Sequence, residues 1–454
     1  MSDSVFERFV KDSPISVMAR ATAERALNPE KIDSWFVMNA QAQYTKDLLF
    51  SSVFGLMSDV VTCSYPSVHA AYQHSEDEIG VSVTSVYNKL NGIEIDTSSG
   101  LVRYAAGELT PVIKELGGVQ APWLPGYRVR LLDGNWIEAG EHRIWELREL
   151  AAGALPGKSL AVYDPVLRIP VDLFPCEDGH AQERSLLGDV LETVEKNDVW
   201  VADRNFCTCG FITEIANSGA FFIIRQHAGL AYESLGKERF IGLTETGKVF
   251  EAPIAVTDAS GKKHIIRRIH VYLTTETRDG DKEIFIISNL PRNAAGATKI
   301  AEIYRKRWKI ETSFQELEKR FCSEINTSGY PPAALFGFCV ALISYMILAV
   351  IKASLCAVHG VEKIEEEVSF FYIADEISGV YRGMIIAIPD EEWKVFRHYT
   401  QSEFTKLLLR LSENVKLSAF RKHPRGPKKK PEKRKKDPKI PHVSTAKLIA
   451  MRKK

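Results

Sequence analysis

The chain of 454 residues lacks the features of an exported or disulfide-stabilised protein. Its first twenty residues contain acids and no uninterrupted apolar run, so we expect no signal peptide. The seven cysteines are an odd number at scattered positions, and Cys207-x-Cys209 has no partner pair at zinc-site spacing. These absences favour a reduced, cytoplasmic protein without a zinc knuckle.

The sequence also lacks overall charge, because 59 Lys and Arg nearly balance 58 Asp and Glu. This balance conceals an asymmetry along the chain. Residues 416–454 carry 16 basic and 2 acidic residues, a net charge of +14, and the preceding residues carry −13. The tail is broken by prolines and poor in apolar residues, so we expect it to be disordered in isolation and to contact nucleic acid. A solvated terminus is the alternative.

One apolar stretch, residues 333–351, contains 19 residues without a charge, which is long enough to span a bilayer. Spanning would require export of the long preceding chain without a signal segment. A helix that begins after Pro331-Pro332 and packs against a sheet explains the same run. We therefore expect a buried core helix and no membrane partner.

The first 120 residues show apolar spacings of three and four, which predict a mainly helical region. The predicted helices lie at 16–26, 33–48, 83–90 and 109–116. Ser82 is a candidate N-cap for the third of them. That short segment is compatible with an ordinary helical subdomain or with one element of a helix-turn-helix.

From about residue 125 the pattern changes to alternating strands and helices, which predicts an α/β fold with a mixed sheet. Strands are predicted at 127–137, 159–164, 167–174, 198–203 and 220–225, and helices at about 183–194 and 209–217. Asp164-Pro165 predicts a hairpin turn. Further strands are predicted at 240–242, 248–256, 264–273 and 283–288, in a segment with a different, strand-rich texture.

Two acids stand out because each closes or follows an apolar strand. Asp133 follows the run 127–132 and precedes Gly134, and Asp203 ends the short strand that begins near Val199. Taken alone, Asp-Gly after an apolar run is typical of a hairpin turn. An Asp at the end of a strand is equally typical of a helix cap.

A third candidate acid lies in the segment Ile-Tyr-Arg-Lys-Arg-Trp-Lys-Ile-Glu at 303–311, which we predict to be helical. At about 100° per residue, Tyr304, Arg307 and Glu311 fall within about 60° of one another on one face. A carboxylate beside guanidinium and phenol groups suits phosphate and metal ions better than it suits a core. An exposed amphipathic helix with local ion pairs is the alternative.

The spacing Tyr304-x2-Arg307-x3-Glu311 resembles the Y-x2-R-x3-E-x6-K signature of DDE transposases from a large group of bacterial insertion sequences. The sequence departs from that signature at one position. The family's lysine would fall at Glu318, and the nearest lysine is Lys319. A regular helix would rotate Lys319 by roughly 80° from the direction of Glu311.

The two upstream acids complete the resemblance, which covers about residues 125–325. Asp133-Gly134 resembles the motif of the family's first acid, and Asp203-Arg204-Asn205-Phe206 resembles that of the second. The resemblance implies an RNase H-like mixed sheet with helices, interrupted by a β-rich insertion and preceded by a helical N-terminal region.

The implied domains follow the same order along the chain. They are a helical DNA-end-binding region (1–120), the first part of the RNase H-like core (121–225), the β-rich insertion (226–296), the second part of the core with the Glu helix (297–360), a helical C-terminal region (361–415) and the basic tail (416–454). In some family members an aromatic residue of the insertion stacks on a flipped base. No Trp lies between Trp200 and Trp308, and the aromatic candidates, each also compatible with a core position, are Tyr232, Phe240 and Phe250.

The resemblance also implies a metal-dependent chemistry on DNA. Three carboxylates would hold two Mg²⁺ ions, with Mn²⁺ as a substitute: Asp133 bridging both, Asp203 holding one and Glu311 the other. The residues that would orient the DNA backbone are Arg307, Tyr304, Arg204 and Lys319. The expected function is cleavage of DNA at insertion-sequence ends and strand transfer into target DNA, in a cut-and-paste reaction performed by a homodimer at the nucleoid in the cytoplasm.

Two other functions are compatible with parts of this pattern. The chain could be a noncatalytic DNA-binding protein derived from a transposase, or an RNase H-like nuclease without strand transfer. The complete set of three acids argues against the first, and the Tyr-Arg-Glu spacing argues against the second.

Overall fold

The computed structural model describes residues 4–43, 47–137, 157–179, 181–277, 280–307, 321–323, 325 and 330–423. Helices from both ends of this described chain pack around one mixed sheet. The N-terminal helices are α1 (Val5–Asp12), α2 (Pro14–Ala26), α3 (Pro29–Asn39), α4 (Phe50–Val61), α5 (Val68–His74), α6 (Glu76–Ile79), α7 (Val83–Asn91) and α8 (Ile95–Glu115).

The predicted start of α7 is confirmed, because the Ser82 hydroxyl accepts a hydrogen bond from the Ser85 amide at 3.3 Å. The helix predicted at 33–48 ends earlier, at Asn39. The following residues turn away because the carboxylate of Glu94 accepts hydrogen bonds from the backbone amides of 41–43. A distant side chain thus ends a helix whose apolar spacing continues.

The central sheet is built from strands that alternate with short helices. Its elements are β1 (Arg128–Ile137), β2 (Gly157–Asp164), β3 (Ile169–Cys176), α9 (Leu187–Leu191), β4 (Asp198–Ala202), α10 (Cys209–Asn217), β5 (Phe221–Arg225), β6 (Glu233–Ser234), β7 (Arg239–Thr244), β8 (Gly247–Thr257), β9 (Lys263–Leu273) and β10 (Glu283–Ser288). The strand order is β3-β2-β1-β4-β5-β10-β9-β8-β6, with β7 also paired to β8. The predicted α/β class with a mixed sheet is confirmed.

Two local predictions on this sheet have different outcomes. The turn at Asp164-Pro165 is confirmed, since Asp164 Oδ1 accepts from the amides of Val166 and Leu167. The helix predicted at 183–194 is wrong in length: a 3-10 turn, Glu183–Leu186, leads into the short α9. The chain must turn early to enter β4, and Asn197 adopts a positive φ of 67° there.

The strands between residues 226 and 296 extend the sheet and do not form a separate one. β10 pairs antiparallel with β5, with Ile287 opposite Ile224, and β9 and β8 follow outward. The four strands predicted in this segment are therefore present, but within the described residues they continue the same sheet. The domain boundaries themselves stay predictions.

Alternation along the central strands gives the sheet two buried faces, because successive side chains point to opposite sides. Leu132, Trp200 and Phe222 share one face, which α10 covers. The other face, with Leu131, Val201 and Ile223 as examples, is covered by α11 (Ala297–Arg305). This second face carries the candidate site.

The long apolar run forms α12 (Pro331–His359), which begins at the two prolines. By length and composition it could cross a membrane, but 78% of its most apolar window is buried inside the fold. It packs against α2, α4 and α8 and against β2 and β3, as predicted for a core helix. The remaining helices are α13 (Val361–Glu367), α14 (Phe370–Ala387), α15 (Asp390–Lys394) and α16 (Gln401–Glu413).

Candidate active site

Asp133 and Asp203 lie side by side at the same edge of the sheet. β1 and β4 are parallel, and their register pairs Leu132 with Ala202, so the two acids follow in neighbouring positions. Adjacent strands are about 4.8 Å apart. Both acids share the face of Leu131 that α11 covers, because strand side chains alternate.

The local alternatives, a hairpin turn at Asp133 and a helix cap at Asp203, do not fully account for these two acids. Asp133 does not form a hairpin turn, because β1 continues to Ile137 and pairs Asp133 with Ala161. Asp203 does act as a cap: its Oδ1 accepts a hydrogen bond from the Asn205 amide at 2.6 Å, at the start of the 3-10 turn Arg204–Phe206. The cap fixes the carboxylate at the strand end, where it can still present an oxygen to a ligand.

The end of α11 brings Tyr304 and Arg307 to these acids. The predicted helix through 303–311 is not continuous in the described part, since α11 ends at Arg305. The Arg307 amide donates to the Tyr304 carbonyl at 3.0 Å, so the last turn is tightened to an i to i+3 geometry. Arg307 Nη1 nevertheless lies 3.2 Å from Asp133 Oδ2, and only 5% of Arg307 is exposed.

Tyr304 is buried beside the same groups. Burial raises the pKa of its phenol, and the charge of Asp203 adds to that increase, whereas Arg307 and Arg225 oppose it. The Arg307 guanidinium carbon lies 5.9 Å from the centroid of the Tyr304 ring. The phenol therefore remains a protonated hydrogen-bond donor near neutral pH.

Arg225 is a site residue that the sequence analysis missed. β5 is parallel to β4 and pairs Ile224 with Ala202, so Arg225 ends its strand beside Asp203. Its Nη2 lies 2.7 Å from Asp281 Oδ2, and this bond holds the pKa of Asp281 below its ordinary value. The available signal was a cation at the end of the strand predicted at 220–225.

Arg204 stands at the exposed rim of the same edge. It follows Asp203 in the 3-10 turn, and its charge also lowers the pKa of Asp281. The structure thus gathers Asp133, Asp203, Arg307 and Tyr304 directly, with Arg204 beside them. The other predicted site residues, Glu311 and Lys319, and the departure at Glu318 lie outside the described residues.

The donor set fits a hard divalent cation in part. Within the described ranges, no group of three or more His, Cys, Asp or Glu side chains is placed to hold a metal ion. Asp133 and Asp203 do bring two carboxylates to adjoining strand ends, and carboxylate oxygens are the ligands that Mg²⁺ prefers. A third carboxylate from the chain beyond Arg307 would complete such a set.

Residues 125–347 match the family model described as the transposase DDE domain. That range contains both strand-end acids and the end of α11. This part of the chain, just under half of its length, is similar to the transposase DDE domain. The chain is also similar to a protein of Sinorhizobium fredii that carries the name transposase y4zB, with 23% identity over 227 residues.

That match covers 49% of this chain and 60% of the relative, so the chain spans less than two thirds of the relative's length. A solved structure described as a piggyBac transposase synaptic complex with hairpin DNA aligns over 90% of this chain and 87% of its own. The identity in that alignment is 10%, and the TM-score is 0.39.

Proposed function

We propose that this chain is the transposase of a bacterial insertion sequence, and that it cleaves DNA at the ends of the element and joins the cut strand to target DNA. One observation carries the proposal: Asp133 in β1 and Asp203 directly after β4 lie in neighbouring positions, with Arg307 bonded to Asp133, in the part of the chain that matches the transposase DDE domain. Carboxylates and a guanidinium at one strand edge suit phosphodiester chemistry better than they suit a core.

We infer an RNase H-like core for the strands that carry these acids. The order β3-β2-β1-β4-β5 supports it, because β2 alone runs antiparallel to its neighbours while β1, β4 and β5 are parallel. In this arrangement Asp133, which lies in β1 just past its pairing with β4, and Asp203, which follows β4, occupy adjacent positions. DNA-end binding by the N-terminal helices belongs to the same proposal.

Asp133, Asp203 and Glu311 would hold two Mg²⁺ ions, or Mn²⁺ in their place. Bound there, such ions supply charge stabilisation at the phosphate oxygens and activation of the attacking hydroxyl. The chain's own residues position the carboxylates for this role. Arg307 holds Asp133 by its Oδ2, and the Asn205 amide holds Asp203 by its Oδ1.

The cations around the acids would bind and orient the DNA backbone. Arg307 and Arg225 flank the two acids, Tyr304 supplies a protonated phenol, and Arg204 lies at the exposed rim. Contacts of this kind set the register of the phosphate against the carboxylates without reading its sequence. The homodimeric DNA complex and its location at the nucleoid stay predictions.

The test is a cleavage assay on DNA that carries the element's own ends, with Mg²⁺ present. Asp133→Asn, Asp203→Asn and Glu311→Gln should each abolish cleavage while end binding is largely retained, because phosphate contacts elsewhere supply affinity. Asp189→Asn, an exposed acid on α9, is the matched control and should cleave normally.

The same assay separates the two alternatives. Binding of the ends without cleavage by the unaltered protein would indicate a noncatalytic DNA-binding protein. Cleavage without joining to a supplied target duplex would indicate a nuclease. Normal cleavage by any one acid variant would remove that residue from the proposed site.

A further inference from the structure

Glu183 lies close to the ends of the β1–β4 pairing, on the face of the sheet opposite to the one that carries Asp133 and Asp203. It is the first residue of the 3-10 turn before α9, and its Oε1 accepts a hydrogen bond from Trp136 Nε1 at 3.2 Å. Its Oε2 accepts from the side-chain amide of Asn205. The Glu183 carboxylate thus connects Trp136, which lies shortly after Asp133, to Asn205, which lies shortly after Asp203.

Gly134 shows how closely this carboxylate approaches β1. A Cβ placed on Gly134 would overlap the Glu183 side chain, and the three nearest atoms to that Cβ all belong to Glu183. The φ of Gly134 lies outside the left-handed region that favours glycine. A side chain at position 134 would therefore displace the Glu183 carboxylate, whereas the backbone conformation there does not require a glycine.

One residue lies between Glu183 and each of the two acids, Asn205 on the side of Asp203 and Gly134 on the side of Asp133. Asn205, which Glu183 holds by its side chain, donates its backbone amide to Asp203 Oδ1 at 2.6 Å. The neighbouring Arg184 donates its Nε to the Asn205 carbonyl, also at 2.6 Å. On the other side, the Gly134 amide donates to Asp133 Oδ1 at 3.1 Å.

We propose that Glu183 is a positioning residue that fixes the separation of Asp133 and Asp203, an inference that rests on the proposed function. Two carboxylates that hold the same metal ion must keep their relative positions within about half an ångström to act together. The parallel pairing of β1 with β4 ends at Leu132 and Ala202, before either acid. Glu183 supplies the connection beyond that point.

The experiment is a double-substitution cycle at Glu183 and Gly134 in the full chain. Glu183→Ala removes the connection, and Gly134→Ala displaces the carboxylate with a methyl group. If Glu183 is the only obstacle beside Gly134, the added methyl group costs little once Glu183 has been truncated. The doubly substituted protein should then resemble Glu183→Ala, with non-additive effects.

Two readouts are measured for each protein. The first is the rise in melting temperature produced by Mn²⁺ without DNA, which reports metal binding to the folded chain. The second is the rate of end cleavage, separated into kcat and KM for the DNA. We expect both single variants to need at least about tenfold more Mn²⁺ for the same rise in melting temperature and to lose kcat by about tenfold or more, with KM nearly unchanged.

Two variants separate positioning from general stability. Glu183→Gln keeps one carbonyl acceptor and should give intermediate values in both readouts. Glu192→Ala, an exposed acid close in sequence, should match the unaltered protein. If Glu183→Ala fails to fold, Gly134→Ala still tests the proposal, because it leaves every charge in place.

Additive losses in the cycle would overturn the proposal, as would single variants with unaltered Mn²⁺ binding and unaltered kcat. The metal readout needs no DNA substrate, so its result does not depend on the element's ends. A protein that binds Mn²⁺ with the expected non-additivity but never cleaves would contradict the proposed function and leave the positioning role of Glu183 supported.

Discussion

Arg225 and Asp281 form an ion pair, with 2.7 Å between Nη2 and Oδ2, that connects the end of β5 to the segment between β9 and β10. Thr277 also donates its hydroxyl to Asp281. Because Arg225 ends its strand beside Asp203, this ion pair holds a guanidinium at the edge where the two acids lie.

The ion pair leads to a prediction about DNA contact. Arg225→Ala should reduce end cleavage by roughly 10-fold to 100-fold, since a hydrogen bond to a charged group contributes about 1.5–3 kcal/mol. Asp281→Asn removes the partner but retains the guanidinium, and it should cost less than about threefold. Equal losses in the two variants would mean that the ion pair, and not a phosphate contact, explains the effect. The slope of binding against salt should fall by about one for Arg225→Ala only.

The buried pair of Arg307 and Asp133 predicts a stability effect that is independent of DNA. Arg307→Ala removes the cation that faces the Asp133 carboxylate, whose side chain is only 15% exposed. This loss should lower the free energy of unfolding by about 3 kcal/mol. Asp133→Asn in the same chain should restore part of that loss, because it removes the buried negative charge that Arg307 had faced. Urea unfolding in the presence of EDTA measures both.

The exposed pair of Lys394 and Glu391 is the control for that measurement. It has a shorter distance, 2.9 Å, but both side chains are largely solvated. Lys394→Ala should therefore leave the stability nearly unchanged. A comparable loss at both sites would show that the burial of Arg307 has no special consequence.

Glu376 on α14 predicts a dependence of stability on pH. Burial raises the pKa of this carboxyl to about 7, and the polar groups of the neighbouring Ser16 oppose that rise. A raised pKa means that the protonated form is favoured in the folded state, so its stability contribution is lost as pH rises through about 7.

Glu376→Gln should consequently melt at a higher temperature than the unaltered protein at pH 8.5, and at nearly the same temperature at pH 5. The gain should be of the order of 1 kcal/mol, because the group is partly solvated. Asp375→Asn, an exposed neighbour on the same helix, should show no such difference. A gain that is equal at both pH values would exclude titration of Glu376 as its cause.

Cys63 should be the most reactive thiol among the described cysteines. It is exposed after α4, and a hydrogen bond from Cys322 lowers its pKa to about 7. Iodoacetamide at pH 7 should alkylate Cys63 several-fold faster than Cys176, whose pKa is raised by burial. Peptide mass spectrometry over time measures both rates.

The hydrogen bond can be removed without touching Cys63. Cys322→Ala should return the pKa of Cys63 towards its ordinary value and slow its alkylation at pH 7 several-fold, with little change at pH 9.5. An unchanged rate at pH 7 would show that Cys322 does not lower this pKa.

The basic tail predicts a change in salt dependence. The structure anchors the chain as far as Lys422, whose amide donates to the Glu367 carbonyl at 2.7 Å. Deletion of 424–454 should therefore preserve the fold and remove 13 Lys and Arg against 2 acids. DNA binding should weaken, and its salt slope should flatten by about 0.9 for each lost phosphate contact, with little loss of discrimination between end and random DNA. An unchanged slope would show that the tail is only solvated.

Local patterns predicted the strands and the two strand-end acids because those signals lie within a few residues. An apolar run followed by Asp133 or Asp203 is visible in the sequence, and so is the N-cap at Ser82. The fold places both acids together through the parallel register of β1 and β4, as the resemblance implied.

Features that depend on distant contacts could not be predicted in this way. Arg225 joins the site only because β5 pairs with β4 in one register, and Glu183 reaches Gly134 from a turn 49 residues away in sequence. The early end of α3 depends on Glu94, more than 50 residues later. In each case a single long-range contact overrides or adds to the local pattern.

The pairing of β10 with β5 has a consequence for attempts to shorten the protein. In the sequence, residues 226–288 look like a removable insertion, because the resemblance implies that they lie between two parts of one core. Excision would instead remove the partners of residues 223–225 in β5, which pair with β10, and so expose the strand that ends in Arg225. A minimal version of this protein must therefore keep β10, or replace it with another strand that seals the same edge.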